Sequence, residues 1–314
     1  MVLLNPRSFR MGLRNRADRL TALLKRHSLP VLPVLAVQTA DDIDRAIRTA
    51  LDRQVQLLII IGGDGTLQGA TTCLATLNPA VRPRLLMLGG GRTNYTARDL
   101  GTHDKLITTL TAALEQPETF RPQRRRTLAV RQQGLPVQHG FFVAGGLIDW
   151  VIRDCHAYRA TGTGPLRTGH LSSAWRLVQL AGQAMIGGGG YCPPRLIIEG
   201  QGLEPFEHAN RLLLMTTLAH SNDWVAPYAD QGRGAIRLTA IDRRAHGFWW
   251  RLPRLLSGRY AAGMTPSDGY LSQRGDAFQL LGLQSISLDG QDFNFDPERP
   301  ISIDAGLDLE FLGR

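Results

Sequence analysis

Short runs that are apolar on consecutive positions recur through the first third of the chain, at Val2–Leu4, Val31–Val37, Leu57–Ile61 and Leu85–Leu88. Such runs suit strands buried on both faces of a parallel sheet. Between them the spacing turns helical. Leu13, Ala17, Leu20 and Leu24 form one stripe, and Ile43, Ile47 and Leu51 form another behind Thr39, a good N-cap, with Asp41 and Asp42 at the positive end of the helix dipole. A third helix is expected from an N-cap at Thr66 to about Leu77. Up to about Gln116 the order is β-α-β-α-β-α-β-α, which predicts a doubly wound parallel sheet with right-handed crossovers. Pro117–Arg126, PETFRPQRRR, then reads as a linker.

The texture changes after that point. Thr127–Gln132 and Pro136–Ala144 are strand-like and separated by Gln-Gly, a hairpin signal. Helices are expected over Ile148–Tyr158 and Ser172–Ile186, the second with Trp175, Val178 and Met185 on its apolar side, with a loop over Ala160–His170 between them. Short strands follow at Arg195–Glu199, Arg211–Leu218, Ala235–Ile241, Ala277–Leu280, Ser285–Asp289, Ile301–Asp304 and Leu307–Phe311, the pattern of an antiparallel sandwich. The expected architecture is therefore α/β + β. A doubly wound α/β domain occupies 1–120 and an antiparallel β-sandwich domain 121–314, with the last strands free to return to the first domain. His246–Tyr260, HGFWWRLPRLLSGRY, reads either as a short helix packing its aromatics on the sandwich or as an interfacial segment, with Pro253 interrupting any long helix.

Composition narrows the class. At 314 residues, 43% hydrophobic and 20% charged, the chain can bury a sizeable core and reads as soluble and globular. MVLLNPRSFR carries too few apolar residues before its proline for a signal peptide, and no 18 apolar residues run together. Cys73, Cys155 and Cys192 lack CxxC spacing, which argues against a disulfide framework or zinc site and for the cytoplasm. The formal charge of +9 reflects either an arginine-rich composition or attraction to an anionic partner. Lys25 and Lys105 are the only lysines and neither follows a glycine, so there is no Walker A motif. Phosphates here must be held by backbone amides, arginine or metal.

The stretch Leu57–Ala70, LLIIIGGDGTLQGA, drives a strand into two glycines, Asp64, a third glycine and Thr66. Glycines at a strand end let bare N–H groups approach an anion, with a helix N-terminus behind them. The plainer reading is a tight β-α turn with a capping aspartate. A second turn of the same kind, GGGRTN at 89–94 leading into YTARDLG, sets two such nests side by side, and polyphosphate is their natural guest.

GGDGT at 62–66 followed by GGGRTNYTARDLG at 89–101 resembles the diacylglycerol kinase catalytic domain, in its soluble bacterial lipid kinase branch, related to sphingosine kinases and more distantly to NAD kinases. Asn5-Pro6, Thr39 and, more weakly, LDGQ at 288–291 extend the resemblance over most of the chain. It implies an ATP-dependent lipid kinase that uses Mg²⁺ and phosphorylates a lipid with a free hydroxyl, diacylglycerol or a relative. Such a protein is cytoplasmic, with peripheral contact to an anionic inner membrane face in view, no nucleic-acid partner, and an open oligomeric state. Asn5, Thr39, Gly62, Gly63, Gly65, Thr66, Gly91, Arg92, Thr93 and Asn94 are then the ATP-binding positions, although Thr39 equally serves as a helix cap. Asp64 corresponds to the motif aspartate.

Three positions depart from the family pattern. The family carries Asp-Gly-Glu where this chain has Asp289, Gly290 and Gln291, and an amide cannot take a proton. Asp289, Asp292 or Asp64 then substitutes as base, or the protein binds without turnover. Arg233-Gly234 stands where an Asp-Gly metal site is expected, which leaves Asp230 as the nearest carboxylate for a metal. Arg92 replaces a threonine and can bind phosphate directly. Alternatives to the lipid kinase are a divergent, catalytically weak regulator binding nucleotide or lipid, and a kinase of a soluble substrate such as NAD.

Overall fold

A computed structural model describes residues 1–10, 20, 22, 34–103, 106–161, 191–219 and 226–314. The expected helices over Leu13–Leu24 and Ser172–Ile186 lie outside the described residues, apart from isolated positions of the first; so does almost all of the Ala160–His170 loop.

Four parallel strands open the fold: β1 (Val2–Leu4), β2 (Val34–Ala36), β3 (Leu57–Gly62) and β4 (Arg84–Gly89), in the spatial order β4-β3-β1-β2. The consecutive apolar runs are explained by burial on both faces. Leu58 and Ile60 of β3 pack with Ile47 and Leu67 into one core, whereas Ile59 and Ile61 pack with Leu106 and Leu110 into another. The covering helices are α1 (Ala40–Asp52), α2 (Asp64–Leu77), α3 (Tyr95–Asp99) and α4 (Leu106–Glu115). Thr39 caps α1 in a reciprocal box with Asp42: the Asp42 N–H donates to Thr39 Oγ1 at 3.2 Å, and Asp42 Oδ2 accepts from the Thr39 N–H at 3.0 Å.

The sequence places the cap of α2 three residues late. Its N-cap is Gly63, and Thr66 already lies in the first turn, where its Oγ1 accepts from Asn5 Nδ2 at 2.9 Å. A glycine turn this tight brings the helix up directly after the strand, and Asp64 takes the first helical position.

The linker reading of 117–126 is also overturned. β5 (Arg121–Gln132) is one long strand, paired antiparallel with β15 (Ile301–Gly313) from Arg121↔Gly313 to Gln132↔Ile301. Its arginines alternate as strand residues do. Arg124 and Arg126 are exposed, while Arg125 turns inward and its Nε donates to Asp99 at 2.6 Å. One arginine of a cluster read as solvated charge, Arg125, is thus core-facing, because the partner strand arrives from the far end of the chain.

Antiparallel strands build the remainder: β6 (Gln138–Gly140), β7 (Phe142–Gly146), β8 (Arg195–Gly200), β9 (Leu203–Thr216), β10 (Ile236–Asp242), β11 (Tyr270–Gly275), β12 (Ala277–Leu281), β13 (Ser285–Leu288) and β14 (Gln291–Asn294). The first half of β9 pairs with β8 in one sheet and its second half with β7 and β10 in the other, so a single strand joins the two layers. Between them lie Leu128, Val130, Val143, Leu213, Met215, Leu238, Ile286 and Ile303. This is the expected α/β unit followed by an antiparallel sandwich. The two strands expected over 301–311 are one strand, bent between Ala305 and Asp308, and β15 continues past the sandwich to meet β4 in parallel at Phe311↔Leu85. One sheet thus runs through both units. Two helices complete the fold, α5 (Leu147–Thr161) after β7 and α6 (Phe248–Leu256), which contains Pro253.

Candidate active site

The two glycine turns meet backbone to backbone. A Cβ on Gly91 would lie 2.7 Å from the Gly63 Cα, so only glycine permits the approach. The Gly90 N–H donates to the Gly62 carbonyl at 2.6 Å and locks the turns together. Asn94, in the left-handed region at φ 50°, brackets the second turn: its Oδ1 accepts from the Gly91 N–H at 2.7 Å and its Nδ2 donates to the Gly91 carbonyl at 3.0 Å.

These turns form one end of a cleft of about 1020 Å³. Asn5, Thr39, Gly63, Gly65, Thr66, Gly91, Arg92 and Thr93 line it, as do Asp64, Asp289 and Gln291. Gly62 and Asn94 stand behind this lining and shape the turns. The Arg92 guanidinium lies 4.4 Å from the centroid of the Phe9 ring, which holds a cation beside the glycine turns. The expected metal candidate Asp230 is not brought here. It is an exposed carboxylate held at 3.2 Å by Arg274 Nη1, and a lone acid already paired with a guanidinium makes no cation site.

Two buried carboxylates define the floor. Asp64 Oδ2 accepts from the Tyr95 N–H at 3.0 Å and Oδ1 from the Thr96 N–H at 3.1 Å. The motif aspartate therefore caps α3 from a distance, because Asn94 leaves that helix without a side-chain cap of its own. Asp289 mirrors it: Oδ2 accepts from the Phe141 N–H and Oδ1 from the Phe142 N–H, each at 2.9 Å. Burial pushes the Asp64 carboxyl above the usual range, against the pull of the Tyr95 and Thr96 amides. Burial, and then the nearby charge of Asp64, push Asp289 well above it.

Asp289 reaches this place through a turn the sequence reading passed over. Leu288 pairs directly with Gln291, and Asp289 and Gly290 between them have φ of 50° and 78°. That is a two-residue hairpin, and Asp-Gly between apolar-patterned strands is a direct signal for it. The turn swings the Gln291 side chain over Gly65, where a Cβ would lie 2.4 Å from Gln291 Nε2.

The opposite wall was not anticipated. Leu147, Ile148, Val151, Ile152, Cys155 and His156 of α5 line the cleft. Their helical spacing was legible as an apolar stripe, but not that the stripe faces the glycine turns. Arg153 ties this helix to the hairpin. Paired at 3.0 Å with Asp149 on its own helix, it donates from Nη2 to the Phe293 carbonyl at 2.7 Å and from Nη1 to Asn294 Oδ1 at 3.0 Å.

Residues 1–121 match the family model of the diacylglycerol kinase catalytic domain. A search of curated proteins found no match. Three solved structures from Bacillus anthracis str. Sterne share the fold over 100% of this chain and 96% of theirs. One, described as a diacylglycerol kinase, is 13% identical with a TM-score of 0.62. The other two, described as candidate diacylglycerol kinases, are 14% and 15% identical with TM-scores of 0.66 and 0.62.

Proposed function

From the premise that residues 1–121 match a diacylglycerol kinase catalytic domain, we propose that the protein transfers the γ-phosphoryl group of ATP to a hydroxyl of diacylglycerol or a related lipid. One observation carries the reading. A single cleft joins a glycine-turn cradle, rich in backbone amides, to the apolar face of α5. Nucleotide phosphates suit the first and an acyl or glyceride body the second.

The donor set fits a divalent cation that arrives on the nucleotide. Among the described residues no group of three His, Cys, Asp or Glu is placed to hold a metal by itself. Asp64 and Asp289, the two carboxylates that line the cleft beside the glycine turns, are the residues that would face such a cation. Mg²⁺ bound there would neutralise charge developing on the transferred group. Asp64 holds the second glycine turn in register and Arg92 adds a fixed positive charge.

The lipid acceptor resides in a bilayer, and α6 suits contact with an anionic one. Trp250 is 91% exposed and Trp249 39%, beside the exposed Arg243, Arg244, Arg254 and Arg259. Phe248, in contrast, is buried on the sandwich. Among the described residues no helix is long and apolar enough to cross a membrane. Peripheral docking through tryptophan and arginine supplies access instead.

A second reading, binding without turnover, is favoured by one observation: Gln291 occupies the position over Gly65. The deciding experiment is transfer of label from γ-labelled ATP to lipid in vesicles of diacylglycerol and anionic phospholipid, with Mg²⁺. Labelled phospholipid in the organic phase is the expected result. Nucleotide binding without any labelled lipid supports the second reading, and label appearing only in a soluble acceptor such as NAD overturns both.

A further inference from the structure

We propose that His156, oriented by Asp292, is the general base that accepts the proton of the acceptor hydroxyl; the proposal rests on the lipid kinase reading and names a catalytic residue for it. A phosphoryl transfer to an alcohol needs a group to receive that proton, and the residue at the hairpin position, Gln291, has none to offer it. The two carboxylates on the cleft floor are each engaged through both oxygens by backbone amides, Asp64 by Tyr95 and Thr96 and Asp289 by Phe141 and Phe142. Those contacts hold the α3 terminus and the hairpin in place, and they leave the proton of the acceptor to another group.

His156 stands in the same cleft, at the end of the apolar wall of α5. Its Nδ1 lies 3.0 Å from Asp292 Oδ2, and Asp292 follows Gln291 directly on β14. A carboxylate at Nδ1 makes that nitrogen the N–H donor, which leaves Nε2 as the acceptor. This is the base-plus-orienter arrangement that activates a hydroxyl elsewhere in enzymes. Its geometry is not left to one contact. Arg153, one turn earlier on the same helix face, clamps α5 to Phe293 and Asn294 on the same strand. Arg153 therefore ties the helix that carries the imidazole to the hairpin that carries Asp292, Gln291 and Asp289.

The step balances as a displacement. The acceptor O–H gives its proton to Nε2 as its oxygen bonds to the γ-phosphorus. The bond from that phosphorus to the bridging oxygen breaks, ADP leaves with the electron pair, and the imidazolium, stabilised by Asp292, later releases its proton to water. The charged groups around the imidazole are Asp149, Arg153 and Asp154 on its own helix, Asp292 and Asp289 on the hairpin, and Arg7, Arg92 and Asp64 on the facing wall.

The test is label transfer to lipid by wild type, His156→Gln, Asp292→Asn and the double variant His156→Gln with Gln291→Glu, each over a pH series. His156→Gln is expected to lose about a hundredfold or more in kcat, the scale of a lost general base, with KM for ATP unchanged and the acid limb of the pH profile flattened. Asp292→Asn is expected to lose less, and a glutamate at 291 to restore part of the rate without His156. A wild-type rate and pH profile in His156→Gln overturns the proposal while the kinase reading stands. A wild type that binds ATP yet labels no lipid overturns the kinase reading itself.

Discussion

Asp64 is the residue whose role the structure redefines, and its replacement makes a sharp test. In Asp64→Ala the N–H groups of Tyr95 and Thr96 lose their acceptors at 3.0 and 3.1 Å in a site where Asp64 itself is only 8% exposed. Each orphaned amide costs about 1–3 kcal/mol, so the pair costs about 2–6 kcal/mol. Part is returned, because burial already disfavours the Asp64 charge and its removal also relieves Asp289. A net loss of about 2–4 kcal/mol follows, which in a chain of this size lowers Tm by about 3–6 °C. The pH dependence carries a sign. A carboxyl whose folded pKa is raised stabilises the fold below its unfolded value, near 3.9, and that stability is lost as pH rises through the folded pKa. The deficit of Asp64→Ala should therefore be largest in acid and narrow as pH rises. Calorimetry of wild type and Asp64→Ala from pH 4 to 8 reads both effects. Superimposable melting curves would refute the capping role and return Asp64 to chemistry alone.

Three further outcomes are expected. Arg125→Ala removes the guanidinium from Asp99, whose side chain is 1% exposed, and should cost about 1.5–3 kcal/mol in denaturant unfolding, whereas a true linker arginine would cost almost nothing. Burial, and secondarily Arg131, bring His139 down to about 4, so its contribution is present above the unfolded value near 6.5 and is lost as pH falls through 4; His139→Gln should flatten that part of the stability profile in thermal melts. Trp250→Ala and Arg254→Gln should leave Tm unchanged but weaken flotation with anionic vesicles, by about fivefold for the arginine at about 1 kcal/mol, and equal binding to neutral and anionic vesicles would refute the docking face.

What the sequence determined by itself was local. Consecutive apolar residues at Leu57–Ile61 suited burial on both faces, Thr39 before two aspartates suited a helix start, and glycines after each of two strands announced backbone turns with bare amides. Those signals depend on neighbours within a few residues, so the parallel sheet and most of the cradle were legible. The Asp289-Gly290 hairpin is equally local, with Asp-Gly between two strands as its signal. Tertiary structure decided whatever depended on distant partners. Arg121–Arg126 is a strand because the end of β15, from Asp308 to Gly313, comes back to pair with it. Asp64 spends its oxygens on α3 because two glycine turns approach closely enough to bring a second helix terminus above it. Neither His156 nor Asp292 belongs to a motif, and 136 positions separate them; only the clamp of α5 on the hairpin places one against the other beside the cleft. Periodicity fixes which face of an element is apolar, but not what that face meets.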